Sequence, residues 1–347
     1  MEKAFRGLDS GGECLLVDAL RYTHPILDRL IFRTYLQIIK KRPEVWEYLY
    51  DNPWVLKNTE KLRRSIHESQ SRKFKTLLDD FKPDAIVCTQ AFPCGIVSDY
   101  KATQAYSTPL YGVLTDYLPH SYWVFDHVDR YFVSSREAKE KLAENGIFEN
   151  RIQVTGIPID FSFGSDGAEG SRPPGRTPRV LLMGGSQGMG PLEKIVLALD
   201  KREEAFEMVV AAGRNRKLYQ RLTKLKIKLK KKLKVHSYSD NIAGLMQDAV
   251  LLVSKPGGLT IAQALAYQLP VIFIDPIPGQ EAKNASILLK HRAAVEAHSE
   301  EEVSLFVGQL LRTPAKLESM KRNMAPLAHP DAAARIAKVI LEREPVP

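Results

Sequence analysis

Short apolar runs rich in β-branched residues alternate along this chain with longer stretches whose apolar positions recur every three or four residues. The first kind reads as strand and the second as amphipathic helix. Strands are expected at 85–88, 110–114, 131–134 and 152–155, and after a break at 180–183, 208–212, 234–236, 250–253 and 271–274. Helical patterns fall at 27–39, 60–81, 136–144 and 332–341, with further helical stretches between the later strands. Strands alternating with helices predict mainly parallel sheets. The break, 163–178, is rich in Gly, Ser and Pro without periodicity and reads as a linker. The chain thus divides into a first domain over 1–163, a linker over 164–178, a second domain over 179–324 and a terminal helical segment over 325–347. At the start, 1–9 reads as the end of a helix and 13–18 as the strand that follows it.

One stretch carries chemistry. Residues 249–254 are an apolar run; Lys255, Pro256, Gly257 and Gly258 punctuate it, and Ile261, Ala264 and Leu265 follow at helical spacing. This is a strand, a glycine turn and a helix. The start of such a helix offers unpaired backbone N–H groups and the positive end of the helix dipole, and glycines let a phosphate come close. The next strand runs into Asp275, Pro276, Ile277, Pro278, Gly279, Gln280 and Glu281, so a second polar loop is expected beside the first at the carboxyl edge of one sheet. A glycine turn alone is weak evidence, because many are only tight connections. Two loops at this separation say more.

The stretch resembles the donor-site signature of the family-28 glycosyltransferases, in particular the branch of monogalactosyldiacylglycerol synthases and processive diacylglycerol glucosyltransferases. The matching pieces are Lys-Pro-Gly-Gly-Leu-Thr at 255–260, Pro-Gly-Gln-Glu with Asn284, Gly-Gly-Ser-Gln-Gly at 184–188, Thr-Asp-Tyr at 115–117 with His120 and Trp123, and Thr-Gly-Ile-Pro-Ile at 155–159. They span most of the chain in the family's order. The resemblance implies the GT-B fold, two doubly wound Rossmann-like α/β domains facing across a cleft, with the last helix crossing back onto the first domain. In that family the strand at 13–18 is the second of its domain. A first strand, a glycine-rich loop carrying a histidine and most of the first helix, roughly 20 to 30 residues, are then expected upstream. A truncated or misplaced start is the reading, and a natural variant is the alternative.

The same resemblance assigns roles. Gly257 and Gly258, with Thr260, are expected to hold the diphosphate of UDP-galactose or UDP-glucose; Gln280, Glu281 and Asn284 face the hexose; Tyr238 lies near the uracil; Gly184, Gly185, Ser186 and Gln187 line the cleft. Where the family usually has Glu, this chain has Gln263. A carboxylate accepts from both ribose hydroxyls in charge-assisted bonds, which a neutral amide does not match. On the acceptor side Asp116, His120 and Trp123 match the motif at the mouth of the cleft. For His120 two roles stand, positioning the acceptor hydroxyl or accepting its proton, and Asp116 is the other candidate base. No metal or other cofactor is expected, since no pair of carboxylates follows a strand and helix dipoles can stabilise departing UDP. By analogy the transfer inverts, and the acceptor is a diacylglycerol-type lipid. Two alternatives remain: the same donor with a lipid-linked saccharide or soluble acceptor, and a UDP-sugar-binding protein inactive for want of the upstream unit.

Composition narrows the partners. The 347 residues carry a net charge of +9 and a pI of about 9.3, which favours an anionic partner: a nucleotide, an acidic membrane surface or nucleic acid. Eleven Lys or Arg and no acid fall in 214–234, with Leu218, Leu222, Leu225, Leu229 and Leu233 down one side, so one amphipathic helix with a cationic outer face is expected. It is either an ordinary solvated face or a surface drawn to anionic lipid. No nucleic-acid motif accompanies the charge. The helical pattern at 27–39 and the aromatics Trp46, Tyr48, Tyr50 and Trp54 either pack on their domain or help dock on lipid. Three cysteines without metal spacing suit a reduced, cytoplasmic protein. No apolar run approaches the ~18 residues of a membrane span and no signal peptide opens the chain, so the expected place is peripheral, on the inner face of the cytoplasmic membrane.

Overall fold

A computed structural model of the chain describes residues 1–23, 73–104, 106–160, 162–163, 177–238 and 241–342. The helical pattern at 27–39, the aromatics at 46–54, the first part of the pattern at 60–81 and the linker residues 164–176 lie outside these. In chain order, α1 (Glu2–Leu8), α2 (Ala19–Thr23), β1 (Ile86–Cys88), α3 (Ala91–Gln104), β2 (Leu110–Val113), β3 (Arg130–Val133), α4 (Arg136–Glu144) and β4 (Ile152–Val154) come first. Then follow β5 (Arg179–Met183), α5 (Leu192–Asp200), β6 (Glu207–Ala211), α6 (Arg216–Leu225), β7 (Leu233–His236), α7 (Ile242–Gln247), β8 (Leu251–Ser254) and α8 (Gly258–Ala266). The last elements are β9 (Val271–Ile274), α9 (Gln280–Lys290), β10 (Ala294–Ala297), α10 (Glu300–Arg312), α11 (Pro314–Met324) and α12 (Ala332–Leu341). They form two compact units, Met1–Pro158 with Pro278–Gln280 and Asp331–Pro347, and Ile159–Ile277 with Glu281–Pro330.

The first unit is a parallel sheet in the order β1-β2-β3-β4. Strand alternation sorts its side chains. Leu110 and Leu114 face Ile96 and Val97 of α3 and Leu142 of α4, whereas Tyr111, Val113 and Phe132 face Ile336, Val339 and Ile340 of α12, with Met1 and Phe5 of α1 beside them. A strand buried on both faces reads as a continuous apolar run, which is why each of these was legible. Ser135 caps α4 by accepting from the Ala138 N–H at 3.2 Å.

The strand expected at 13–18 does not form. Residues 12–18 are chain outside any ladder, with Leu15 50% and Leu16 83% exposed. A strand persists through its hydrogen-bonded neighbours, and among the described residues nothing pairs with this segment; β1 is an edge of the sheet.

The second unit is a six-stranded parallel sheet in the order β10-β9-β8-β5-β6-β7. One face buries Val180, Leu182, Met208 and Val210 against Ile195 and Leu199 of α5, Leu218 and Leu222 of α6 and Val303 and Val307 of α10. The segment 159–163 is tied to this unit, where Tyr267 donates its hydroxyl to the Ser162 carbonyl at 2.7 Å and packs on Phe163. β10 escaped the sequence reading because Ala-Val-Glu-Ala is too short and too weakly apolar to stand out; pairing with β9 makes it a strand.

The single helix expected over 214–234 is three pieces. α6 ends at Leu225, a 3-10 turn covers Lys226–Lys228, and Leu233 belongs to β7, paired with Met208. Lysines four apart, Lys224 with Lys228 and Lys226 with Lys230, disfavour continued helix, while Leu233 gains burial and a ladder in β7.

Candidate functional site

The strand order of the second unit reverses between β5 and β8. From β5 the chain adds β6 and β7 on one side, then returns to place β8, β9 and β10 on the other. In open parallel sheets such a switch point opens a crevice at the carboxyl edge, where ligands bind. The loops that follow β5, β8 and β9 are the ones the sequence singled out.

After β8 the chain turns through Lys255, Pro256 and Gly257, and Gly257 is the N-cap of α8 with φ −69° and ψ 139°. No side chain caps this helix, so its first-turn amides remain for a ligand, at the end where the dipole favours an anion. A Cβ built on Gly257 would meet only Thr260 Oγ1, at 3.8 Å. The backbone does not need glycine there; open space above the turn is what it preserves. Thr260 and Gln263, three residues apart on α8, share a face and are both half-buried.

The loop after β5 is built the other way. Gly185 and Gly188 have φ of +65° and +57°, and a Cβ on Gly188 would sit 2.0 Å from the Ala212 carbonyl oxygen. This loop is braced against the one after β6, with Arg214 N–H donating to the Ser186 carbonyl at 2.9 Å and Asn215 Nδ2 donating to Gly188 O at 3.0 Å. Gly184 and Gly188 are buried, Gly185 and Ser186 are exposed and Gln187 is half-buried. Arg214 in turn lies over the Tyr238 ring, 5.1 Å from its centroid, and Tyr238 is 53% exposed. The aromatic ring after β7 thus meets the guanidinium of a residue whose main-chain N–H is anchored to the first glycine loop.

Lys255 joins the loops after β8 and β9. Its side chain is 10% exposed, with Nζ 3.4 Å from Asp275 Oδ2 and 3.7 Å from Glu281 Oε2. Asp275 turns the chain out of β9 with φ +50°, a conformation Asp tolerates better than most residues. Glu281 Oε2 also accepts from the Ile277 N–H at 2.8 Å, which folds the second loop back on itself. Burial raises the Glu281 carboxyl above the usual range, opposed by the attraction of Lys255. A Cβ on Gly190 would stand 4.0 Å from Asp275 Oδ2, so the loop after β5 reaches this cluster as well. Asn284, one turn into α9, is fully buried.

In the first unit, Asp116 and His120 lie on the loop after β2. Asp116 is 9% exposed and its Oδ1 accepts from Gln280 Nε2 at 2.6 Å, Gln280 being counted with this unit. His120 Nδ1 accepts from the Tyr122 N–H at 3.2 Å. The neutral ring therefore carries its proton on Nε2 and presents a donor there. Trp123, expected at the mouth of a cleft, is 3% exposed and lies in the core cluster with Cys94, Leu110 and Tyr131. Its indole is large and apolar, and Gly112 makes room for it: a Cβ there would be 3.5 Å from the Trp123 ring and 2.9 Å from that of Tyr131. Trp123 backs His120, ring centroids 6.4 Å apart. Tyr131 pins the same loop, its hydroxyl accepting from Phe125 N–H and donating to Phe125 O.

Sequence reasoning missed the linking role of Lys255 and Asp275 and the anchoring role of Arg214. The signal for the first pair was a lysine and an aspartate closing two successive strands; Arg214 was hidden as one charge among eleven.

Comparison with known proteins bears on this arrangement. Residues 3–159 match the family described as monogalactosyldiacylglycerol (MGDG) synthase, and residues 179–338 match the glycosyltransferase family 28 C-terminal domain. The processive diacylglycerol beta-glucosyltransferase of Bacillus cytotoxicus is 32% identical over 350 residues, 99% of this chain and 88% of its own length. The chain belongs to the family-28 glycosyltransferases. The protein of the same name from Bacillus cereus strain G9842 is 33% identical to this glycosyltransferase over 348 residues, 98% of the chain and 88% of its own. Among solved structures, MurG of Acinetobacter baumannii has a TM-score of 0.61 at 13% identity, covering 80% of each chain. UDP-GlcNAc 2-epimerase of Neisseria meningitidis, bound to UDP-GlcNAc, has 0.59 at 16%, covering 81% of this chain and 82% of its own. These likenesses place the two Rossmann-like units of the family-28 enzyme in the GT-B fold class.

Proposed function

We propose that this glycosyltransferase moves a hexose from UDP-glucose or UDP-galactose to the hydroxyl of a diacylglycerol-type lipid at a membrane surface, with inversion. The observation that carries the reading is the cluster of loops after β5, β8 and β9 at the switch point of the second unit, with uncapped amides at the start of α8. The names of the full-length relatives supply the lipid acceptor. In the step proposed, the acceptor oxygen attacks the anomeric carbon, the bond from that carbon to the β-phosphate oxygen breaks, and UDP leaves with its charge taken up by the α8 amides around Gly257, Gly258 and Thr260. The acceptor proton goes to Asp116. His120 orients the acceptor oxygen, in keeping with a ring whose Nδ1 already accepts a hydrogen bond. Gln280, Glu281 and Asn284 belong to the hexose side, Tyr238 to the uracil side, and Gln187 to the wall beside the first glycine loop.

We assign no metal to this reaction: the uncapped amides at the start of α8 suit a diphosphate by themselves. The enzyme is taken to sit peripherally on the inner face of the cytoplasmic membrane. In support, the relatives are named for a diacylglycerol acceptor, a membrane lipid; no helix of the described residues is long and apolar enough to cross a bilayer. The test is transfer from radiolabelled UDP-glucose and UDP-galactose to vesicles containing diacylglycerol, with soluble diols in parallel. A labelled lipid from one donor is expected. Label only in the soluble products, or in neither fraction although UDP binds, overturns the acceptor assignment.

A further inference from the structure

We propose that the corner between α6 and β7, residues 224–234 with Ile227 at its tip, docks on an anionic lipid bilayer. This rests on the reading of a membrane-surface enzyme and names the surface in the second unit that would meet the lipid.

The leucines of the corner are used by the fold. Leu225 and Leu229 pack against the core and Leu233 is buried in β7. Ile227 is not: in the 3-10 turn Lys226–Lys228 it is 81% exposed, a β-branched apolar side chain held out in water. Lys224, Lys226, Lys228 and Lys230, which flank it in the chain, are all exposed; Lys232 and Lys234 are exposed too, but Lys234 alternates with buried Leu233 and lies on the other face of the sheet, beside Arg179 and Asp248. Lys232 pairs with Glu207 at 2.6 Å; the other five make no ion pair with a described residue. Folding therefore accounts for neither the apolar tip nor the unpaired lysines Lys224, Lys226, Lys228 and Lys230 that flank it.

The corner is also rigidly founded. Lys231 differs from its neighbours, with its N–H donating to Asp200 Oδ1 at 2.8 Å, its Nζ donating to Glu204 O at 2.6 Å and the ammonium lying 4.4 Å from the Phe206 ring centroid. It spends its charge holding the turn. The other lysines are left to face outward.

An exposed apolar residue flanked by unpaired lysines matches a surface that is negative outside and apolar beneath, which is an acidic bilayer. Lysines attract nucleic-acid phosphates as well, but a nucleic acid gives the exposed Ile227 no apolar layer to enter, and stacking or base-reading side chains are missing from the corner. The exposed residues from 224 to 234 are lysines and one isoleucine.

The experiment is sedimentation of the full chain with vesicles of phosphatidylcholine alone and of equal parts phosphatidylcholine and phosphatidylglycerol. The variants are Ile227→Ser and the triple Lys226→Ala/Lys228→Ala/Lys230→Ala, with UDP titration of each as a check on the fold. All substituted residues are exposed. The wild type is expected to bind the acidic vesicles preferentially, the triple variant on the order of 100-fold less and Ile227→Ser on the order of 10-fold less, with UDP affinity unchanged. Acidic-vesicle binding that survives both variants overturns this corner while leaving the membrane reading intact. A wild type that shows no preference for acidic vesicles overturns the corner's charge role. Vesicle binding unchanged while binding to single-stranded RNA is lost in the triple variant assigns the corner to nucleic acid instead.

Discussion

Replacing Lys255 by Met removes the cation that faces two carboxylates and leaves an apolar side chain of similar length. Asp275, with a side chain 58% exposed, is solvated by water and contributes little. Glu281 decides the outcome. Its side chain is 17% exposed, burial already raises its pKa, and Lys255 is the chief charge that opposes the rise. The loss should be about 2–4 kcal/mol, between the cost of stranding a buried polar group and that of breaking a fully buried ion pair. Glu281→Gln in the same chain keeps an acceptor for the Ile277 N–H and removes the charge, so the double variant should regain about half of the loss or more. The effect also has a pH signature. A carboxyl whose folded pKa exceeds its unfolded pKa takes up a proton on folding between the two values, so stability falls as pH rises through that window. Lys255→Met widens the window upward. Urea unfolding at about pH 5 and about pH 8, followed by circular dichroism, should show a larger loss at the higher pH. A loss equal at both pH values and untouched by Glu281→Gln would refute the coupling.

Three further outcomes separate fold from function. Gly257→Ala should unfold like the wild type, since its Cβ meets only Thr260 Oγ1 at 3.8 Å, yet raise KM for the donor; Gly188→Ala, whose Cβ would overlap the Ala212 carbonyl at 2.0 Å, should destabilise the second unit instead, and thermal unfolding beside donor kinetics tells them apart. Gln263→Glu should tighten UDP by on the order of 1 kcal/mol in calorimetric titration if the side chain meets the ribose; equal or poorer affinity rejects that contact. Gly112→Ala places a Cβ 2.9 Å from the Tyr131 ring and should cost about 1–3 kcal/mol in unfolding experiments, with turnover falling as the loop carrying Asp116 and His120 shifts.

The sequence alone was enough for the parallel α/β layering and for the position of the loops after β8 and β9. Every strand buried on both faces is a short continuous apolar run, and such runs are visible without partners. The glycine turn at 255–258 and the polar loop at 275–281 were legible because strand ends, Gly and Pro mark themselves locally. What tertiary structure decided depends on who lies beside whom. Residues 13–18 have the composition of a strand but, among the described residues, no ladder to join, and 214–234 has the leucine spacing of one helix but gives Leu233 to a sheet. Trp123 carries the same letter whether it greets a substrate or fills a core, and the space left by Gly112 put it in the core. Lys255 became the tie between two loops only because β8 and β9 are neighbours, so that residues 20 and 26 positions apart in the chain, Asp275 and Glu281, close on one ammonium. Strand adjacency is a long-range property, and local pattern carries no record of it.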